Sequence, residues 1–405
     1  MSTPLRRPLR VCHLAYTFHE SDNRVMRYVR TLAARGDQVD VIALRPAGSG
    51  RRADEGTIRV YQIQRRSTTE RAAWMYLLKL LWFWLKSMSI LSWLQVRRRY
   101  DVVHVHNVPD FLVFAAWLPK VMGARLILDI HDMMPELYAG KFAQGRPSKT
   151  FGMLAALERL SCRFADHVIA SNDLWVETLN RRSAAADKCT VFINHPDLTL
   201  FRPRQRARPD GAPFVFLYPG SLNHHQGVDL AVRAFAAARS QMPSAELHIY
   251  GRGPALPLLH DLVKELHLGE AVRIKDFLPS VQIAEVMSAA DVGVVPKRAD
   301  GFGNEAFSTK ILEFMACGVP VIVARTRIDA HYFTDALVNF FEPGDVESLA
   351  GVMRQVYAHA AEQVGRIEAA REFAGHQSWQ ARRADYERLV DALASFNRTA
   401  ALHAS

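Results

Sequence analysis

Short apolar runs alternate along this chain with amphipathic stretches, a pattern that predicts parallel strands joined by helices. The most informative stretch is 291–323. It contains a β-branched apolar run halted by Pro296, then a loop, then a helical stretch at 308–316, then a second apolar run. Ser308 is a favourable first residue for that helix, and Gly318 suits the position after its end. In such a strand–loop–helix–strand unit, ligands bind beyond the carboxyl ends of the strands.

The alternation extends over both halves of the chain. No three-glycine dinucleotide fingerprint follows the first strand, so a redox Rossmann domain is not indicated. The proline- and arginine-rich stretch 197–213 is predicted to be a linker. We therefore expect an α/β protein of two doubly wound, Rossmann-like domains at about 1–200 and 210–375. The predicted strands are 9–15, 39–44, 101–105, 124–130, 167–171, 189–193, 214–218, 245–250, 272–276, 292–295, 319–323 and 337–341.

Two acids mark the helix at 308–316. Glu305 lies just before it and Glu313 lies in its second turn. Helical side chains lean toward the N-terminus, so both carboxylates can reach one opening. The amides of Ala306, Phe307, Ser308 and Thr309 are expected to face the same opening, where a phosphate is favoured. Acids for sugar hydroxyls and a ribose, with amides for a diphosphate, indicate a nucleotide-sugar site. The alternative is a solvated helix start with two chance acids.

Composition narrows the choice of partners. The 405 residues are 49% hydrophobic and 23% charged, as in soluble globular proteins. The net charge of +10 suits phosphorylated ligands, nucleic acid or an acidic membrane. Arginines are scattered without a nucleic-acid-binding motif, so no nucleic acid is expected. The four cysteines have neither zinc nor disulfide spacing, and no apolar leader precedes the first strand. These features favour the cytoplasm.

The most apolar stretch, 72–94, has two interpretations. It is long enough to span a bilayer, but Lys79 and Lys86 share one helical face and its tryptophans are spread along it. Three arginines follow at 97–99. This pattern favours an interfacial helix on anionic lipid over a membrane-spanning one. A helix packed in the core of the first domain is the other interpretation, and the sequence leaves both open.

Taken together, these residues resemble the retaining nucleotide-sugar glycosyltransferases of family 4, which have the GT-B fold. The resemblance covers nearly the whole chain. Its most specific part is the glutamate pair with the M-A-C-G-V-P-V-I string that follows. His131 stands where the family has a strand-end histidine beside the donor sugar. Further matches are N-H-P-D at 194–197 with Phe201, the glycine loops 220–227 and 251–254, and H-Q-S-W at 376–379.

The resemblance implies a fold and an activity. Two domains would face each other across a cleft, the first binding the acceptor and the second the donor, with 376–398 returning to the first. The donor would be a UDP- or GDP-sugar, transferred with retention and without a metal or other cofactor. The acceptor expected is a lipid-linked saccharide in polysaccharide or glycoconjugate synthesis. The stretch 72–94, the arginines at 97–99 and the net charge add a further expectation, that the enzyme is cytoplasmic and peripheral on the inner membrane face.

The resemblance also assigns roles to residues. Catalytic roles are expected for His131, Glu305 and Lys310. The sequence departs from the family in the first glycine loop, where Ser221 and Gln226 replace an arginine and a lysine that hold the diphosphate. Lys310, Arg252, Lys297 or Arg298 are candidates for the missing charge. The expected donor-binding residues are Gly220, Asn223, Arg252, Ala306, Phe307, Ser308, Thr309 and Glu313.

Two other functions fit the same sequence. One is another enzyme on this fold, such as a sugar-nucleotide epimerase or an inverting transferase. The other is a non-catalytic family member that binds partners in polysaccharide assembly, motivated by Ser221 and Gln226. Asp300 begins a D-G-F-G string that imitates the family's E-G-F-G, but it lies too far from Glu313 for the required spacing. We therefore align Glu305 with the first glutamate.

Overall fold

A computed structural model describes residues 7–19, 22–46, 50, 52–65, 73–142, 149–204, 209 and 211–402. The chain forms two compact units. The first comprises Met1–Ile193 and Arg383–Ser405, and the second comprises Asn194–Arg382. Within the predicted linker, 205–208 and 210 lie outside the described residues, and the remainder belongs to the second unit.

The first unit is built on an eight-stranded sheet with the order β3-β4-β2-β1-β5-β6-β7-β8. All neighbours are parallel except β3 and β4, which form an antiparallel pair. Its strands are β1 Arg10–Ala15, β2 Gln38–Arg45, β3 Arg52–Glu55, β4 Ile58–Arg65, β5 Val102–His106, β6 Arg125–Ile130, β7 His167–Ala170 and β8 Cys189–Val191. Its helices are α1 Asn23–Ala34, α2 Ala73–Arg98, α3 Trp117–Val121, α4 Met134–Phe142, α5 Lys149–Phe164 and α6 Asp173–Arg182.

The second unit has a six-stranded parallel sheet with the order β11-β10-β9-β12-β13-β14. Its buried core includes Phe216, Phe235 and Leu247, contributed by two strands and a helix. Its strands are β9 Phe214–Pro219, β10 Ala245–Tyr250, β11 Val272–Lys275, β12 Val292–Val295, β13 Val321–Ala324 and β14 Asn339–Phe341. Its helices are α7 Val228–Ala238, α8 Leu256–Glu265, α9 Ser280–Ala289, α10 Thr309–Cys317, α11 Arg327–Tyr332, α12 Val346–Ala358 and α13 Val364–His376.

The last helix, α14 (Trp379–Leu402), begins in the second unit and continues into the first. Within the first unit, Tyr386 is fully buried and its ring lies 4.3 Å from that of Tyr28 on α1, centroid to centroid. Residues 377–378 separate α13 from α14. The return of the final helix to the first unit is as the resemblance implied.

The apolar pattern located most elements to within three residues of their ends, but it missed the β3–β4 hairpin. β3 reads R-A-D-E, which is too polar and too short to stand out as a strand. β4 alternates buried and partly exposed residues, as expected for a strand near a sheet edge.

Candidate functional site

In the second unit, the predicted ligand edge centres on the start of α10. Ser308 has the extended backbone of an N-cap residue, yet its side chain caps nothing. Its hydroxyl is buried and has no hydrogen-bond partner among the described residues. Within that same part of the chain, no acceptor contacts the amides of Phe307, Ser308 or Thr309. A buried hydroxyl and three unpaired amides at one helix start form a ready position for an anion.

Of the four backbone amides expected to bind a phosphate, that of Ala306 is already hydrogen-bonded within the protein. The Ala306 amide donates to the carbonyl of Phe302 at 2.9 Å, as part of the turn that precedes the helix. Ala306 contributes its carbonyl elsewhere, because that oxygen accepts a hydrogen bond from Lys297. The expectation of a free amide at Ala306 is therefore wrong. The unpaired amides begin one residue later.

Lys310, in the first turn of α10, supplies a positive charge to this region. Its Nζ donates to Oε1 of Gln226 at 3.0 Å and lies 5.3 Å from the ring centroid of Tyr218. Removal from water lowers the pKa of Lys310 to about 8, although the charge of Glu313 opposes that shift. The lysine therefore loses its proton more readily than a surface lysine does.

Gly220 makes the position of Lys310 possible. Its φ of 140° lies in the region that favours glycine, and a Cβ there would approach Cε of Lys310 to 2.4 Å. The loop after β9 can thus pass directly beneath the lysine side chain. Asn223 follows in the same loop, partly exposed, directly before a short 3-10 turn at His224–Gln226.

The other three cations named as candidates are already paired with acids. Arg252 is exposed and bound to Asp276. Lys297 is buried, with Nζ 2.8 Å from Oδ2 of Asp329. Arg298 forms two hydrogen bonds with Asp229, at 2.8 and 2.7 Å. In contrast, no carboxylate among the described residues lies within ion-pair distance of Lys310.

The two glutamates lie at different places around α10. Glu305 is in the turn before the helix, and its Oε1 accepts a hydrogen bond from Nη1 of Arg327 at 2.8 Å. Glu313 lies one turn inside the helix, partly buried and close enough to influence Lys310. Asp300, the acid of the D-G-F-G string, stabilises its own loop, because it accepts a hydrogen bond from the Gly303 amide at 2.6 Å.

In the first unit, strand register gathers a histidine cluster. His13 pairs with His104 across β1 and β5, and His106 pairs with Asp129 across β5 and β6. Residues two apart in a strand share a face, so His104 and His106 lie on one side of the sheet. Nδ1 of His13 lies 3.1 Å from Nε2 of His106. The four side chains are buried.

Asp129 is the hub of this cluster. Arg24 donates two hydrogen bonds to it, at 3.0 and 2.7 Å. Nδ1 of His106 lies 3.2 Å from Oδ2 of Asp129, and Nε2 of His131 lies 3.0 Å from the same oxygen. Burial alone would raise the pKa of Asp129, but the neighbouring Arg24 guanidinium holds that pKa well below its usual range. The carboxylate therefore stays ionised.

The buried histidines are neutral because burial opposes their charged form. Burial lowers the pKa of His104 to about 3 and the pKa of His13 well below its usual value. His131 comes directly after β6 and is about one-fifth exposed. In the neutral tautomer that donates Nε2–H to Asp129, Nδ1 of His131 is a hydrogen-bond acceptor. Asn107 fixes the backbone, because its Oδ1 accepts from the His131 amide at 2.7 Å.

Two groups in this cluster have the composition of metal ligands: His13, His104 and His106, and His106, Asp129 and His131. Their arrangement fits hydrogen bonding better. The rings of His104 and His106 stack at 4.2 Å, which keeps their in-plane lone pairs from converging on one point. In the second group the Asp129 carboxylate is already bound by Arg24. Sequence reasoning identified His131 but missed Asp129, whose signal was an acid within the apolar strand L-I-L-D-I.

Two family models match the chain in succession. "Glycosyl transferase 4-like domain" matches residues 21–195, and "Glycosyl transferases group 1" matches residues 202–373. A D-inositol 3-phosphate glycosyltransferase from Thermobispora bispora is 29% identical over 325 residues, which is 74% of this chain and 73% of the relative.

Solved structures show the same fold at low identity. Sucrose-phosphate synthase from Thermosynechococcus elongatus aligns with a TM-score of 0.79 at 20% identity, over 95% of this chain and 99% of that one. HepE from Anabaena, solved with UDP-glucose, aligns with a TM-score of 0.70 at 16% identity, over 95% and 100%. With both family models matched in order and two Rossmann-like sheets present, the chain belongs to the family 4 type of glycosyltransferases and has the GT-B fold.

Proposed function

We propose that this glycosyltransferase transfers a sugar from a UDP- or GDP-sugar with retention of the anomeric configuration and without a metal ion. The observation that carries the proposal is the start of α10, where the Ser308 hydroxyl and three amides, next in sequence to Lys310, have no hydrogen-bond partner in the described part of the chain. A diphosphate offers acceptors for every one of these donors. HepE, solved with UDP-glucose, has the same fold and supports a donor of this class.

Lys310 is proposed to replace the missing loop charge. The family's lysine position is occupied here by Gln226, and the amine of Lys310 contacts the side chain of that glutamine. A positive charge on α10 can therefore act close to the position from which the loop lysine is missing. As the bond to the sugar breaks, negative charge grows on the leaving diphosphate, and Lys310 stabilises that charge.

The remaining roles follow the resemblance. Glu305, which is paired with Arg327, accepts hydrogen bonds from the sugar hydroxyls, and Glu313 binds the ribose. Gly220, Asn223 and Arg252 complete the donor site, together with the residues at the start of α10. His131 contacts the transferred sugar through Nδ1, the acceptor atom that the Asp129 hydrogen bond leaves available. The leaving phosphate takes the acceptor's proton, so no protein base is required.

The proposed acceptor is a lipid-linked saccharide used in polysaccharide or glycoconjugate synthesis at the inner face of the cell membrane. Support comes from α2, which exposes several tryptophans and leucines next to basic side chains. A saccharide attached to a membrane lipid is the kind of acceptor that an enzyme with such a surface can reach.

The test removes the charge of Lys310 while keeping its length. Lys310→Met is expected to lower the transfer rate by roughly 10²–10³-fold, the cost of losing one group that stabilises a developing anion. Donor hydrolysis or transfer with the preferred UDP- or GDP-sugar is the measurement. Lys264→Met is the control, because that lysine is exposed at the end of α8.

A second variant tests whether the positive charge can act from position 226 instead of position 310. In Lys310→Met with Gln226→Lys, the amine returns to the loop and should restore part of the lost rate. Full activity of Lys310→Met would contradict the role of the lysine. Failure of the wild-type protein to bind either UDP or GDP by calorimetry would favour the non-catalytic interpretation, and inverted product would favour an inverting transferase.

A further inference from the structure

Helix α2 has two faces with opposite environments. One face contributes to the core of the first unit, and the amide of Gln64 on β4 donates to the carbonyl of Lys79 at 3.0 Å. A helix from Trp74 to Arg98 is long and apolar enough to cross a membrane by length and composition. Crossing would, however, remove the inner face from the core. The buried residues of that face are Leu80, Phe83, Ser87, Leu91, Leu94 and Gln95.

The outer face of α2 is apolar and uncovered within the described part of the chain. Its large side chains are between 38% and 64% exposed, with Trp74 the most exposed. The neighbouring helix α3 adds Trp117 and Val121, and Met122 follows directly after it; all three are exposed. An apolar surface of this extent on a folded unit marks a site of interaction. The α2 residues are Trp74, Leu77, Leu78, Leu81, Trp82, Leu85, Trp93 and Val96.

The charged side chains of α2 itself are all basic. No aspartate or glutamate occurs between residues 71 and 100. Nζ of Lys86 lies 5.0 Å from the ring centroid of Trp82, and Cζ of Arg97 lies 4.1 Å from that of Trp93. Each base therefore accompanies an exposed tryptophan. Aromatic rings beside cations suit the boundary between acyl chains and anionic head groups.

We propose that the outer face of α2, with α3 beside it, is a docking surface for an anionic phospholipid bilayer. The helix lies in the plane of the membrane, its apolar side chains enter the acyl boundary, and Lys86 and Arg97 contact lipid phosphates. A protein partner or second copy would not require a face free of acids over thirty residues. The surface deepens the proposed function by naming the membrane from which a lipid-linked acceptor is taken.

Vesicle co-sedimentation of the full chain tests this surface. Binding is expected to vesicles of phosphatidylglycerol mixed with phosphatidylcholine, to weaken with salt, and to be weak on phosphatidylcholine alone. The double variant Trp82→Ser/Trp93→Ser should lose at least tenfold in partition coefficient. Lys86→Gln and Arg97→Gln should each lose about fivefold. Phe277→Ser, which removes an exposed aromatic of the second unit, is the matched control and should bind normally.

Independent readouts separate this proposal from the proposed activity. Thermal stabilisation by the donor nucleotide should be the same in the tryptophan double variant and the wild type, because the altered side chains are exposed. Equal melting temperatures without ligand would show that the variant is folded. Absence of binding to anionic vesicles at low salt overturns the proposal. So does a wild-type dimer by sedimentation equilibrium that Trp82→Ser/Trp93→Ser dissociates while vesicle binding is unchanged.

Discussion

The strand-end edges of the two units handle charge in opposite ways. In the first unit the carboxylate of Asp129 is fully used, with two hydrogen bonds from Arg24 and close contacts from His106 and His131. In the second unit, among the residues that the structure describes, Lys310 has a single hydrogen-bond partner, the neutral Gln226, and the buried Ser308 hydroxyl has none.

This difference indicates that the Asp129 network has a structural role, whereas the start of α10 is a binding site. In the first unit the buried charges of Asp129 and Arg24 offset each other, so little electrostatic potential remains to attract a ligand. The hydrogen-bond network around Asp129 instead fixes the orientation of one partly exposed imidazole, that of His131. Where donors remain unpaired beside a cation, the site retains a positive potential for an anion to neutralise. The comparison predicts that changes in the first network affect folding first, while changes at α10 affect the ligand first.

The largest expected effect comes from Asp129→Asn. This change leaves the buried Arg24 guanidinium without its counter-charge, so the free energy of unfolding should fall by about 3–5 kcal/mol. Urea unfolding followed by circular dichroism is the measurement. A double variant, Asp129→Leu with Arg24→Met, should recover part of the loss because no lone charge remains. If Asp129→Asn lowers the free energy of unfolding by less than about 1 kcal/mol, Asp129 is not the central stabilising residue of this network.

The sequence was sufficient to predict the elements around the second of these two sites. The β12–α10–β13 unit was predicted almost to its ends because Pro296, Ser308 and Gly318 interrupt or terminate elements locally. What sequence could not supply were contacts between distant residues. Lys310 meets Gln226 across 84 positions, and Arg24 meets Asp129 across 105. Periodicity indicates which face of an element is buried, but not which polar groups from other elements will meet there.

A smaller effect is expected from the pH dependence of His104. Its pKa is about 3 in the folded chain and about 6.5 when unfolded. The unfolded state therefore takes up the proton first as pH falls, and folding loses stability below about pH 6.5. Between pH 7.5 and 5 the loss amounts to about 2 kcal/mol. The measurement is urea unfolding at both pH values, compared with His104→Gln.

That comparison is needed because Asp110 acts in the opposite direction. Burial raises the pKa of Asp110 to about 7, so its protonation stabilises the folded state as pH falls. The Asp110 contribution is common to wild type and His104→Gln and cancels in the difference. If the two proteins lose stability in parallel between pH 7.5 and 5, His104 is not held neutral by the fold.

The smallest effect concerns the other edge, where pH should change ligand binding. With a pKa of about 8, Lys310 is mostly protonated at pH 7 and mostly neutral at pH 9. Donor affinity should therefore fall about tenfold over that range, in proportion to the protonated fraction. Calorimetric titration with the preferred UDP- or GDP-sugar measures this change. Lys310→Arg provides the control, because a guanidinium stays charged throughout and reports only the titration of the donor itself. An equal fall in wild type and Lys310→Arg would mean that Lys310 does not contact the diphosphate, whereas a flat profile in the arginine variant alone would identify the lysine as its charged partner.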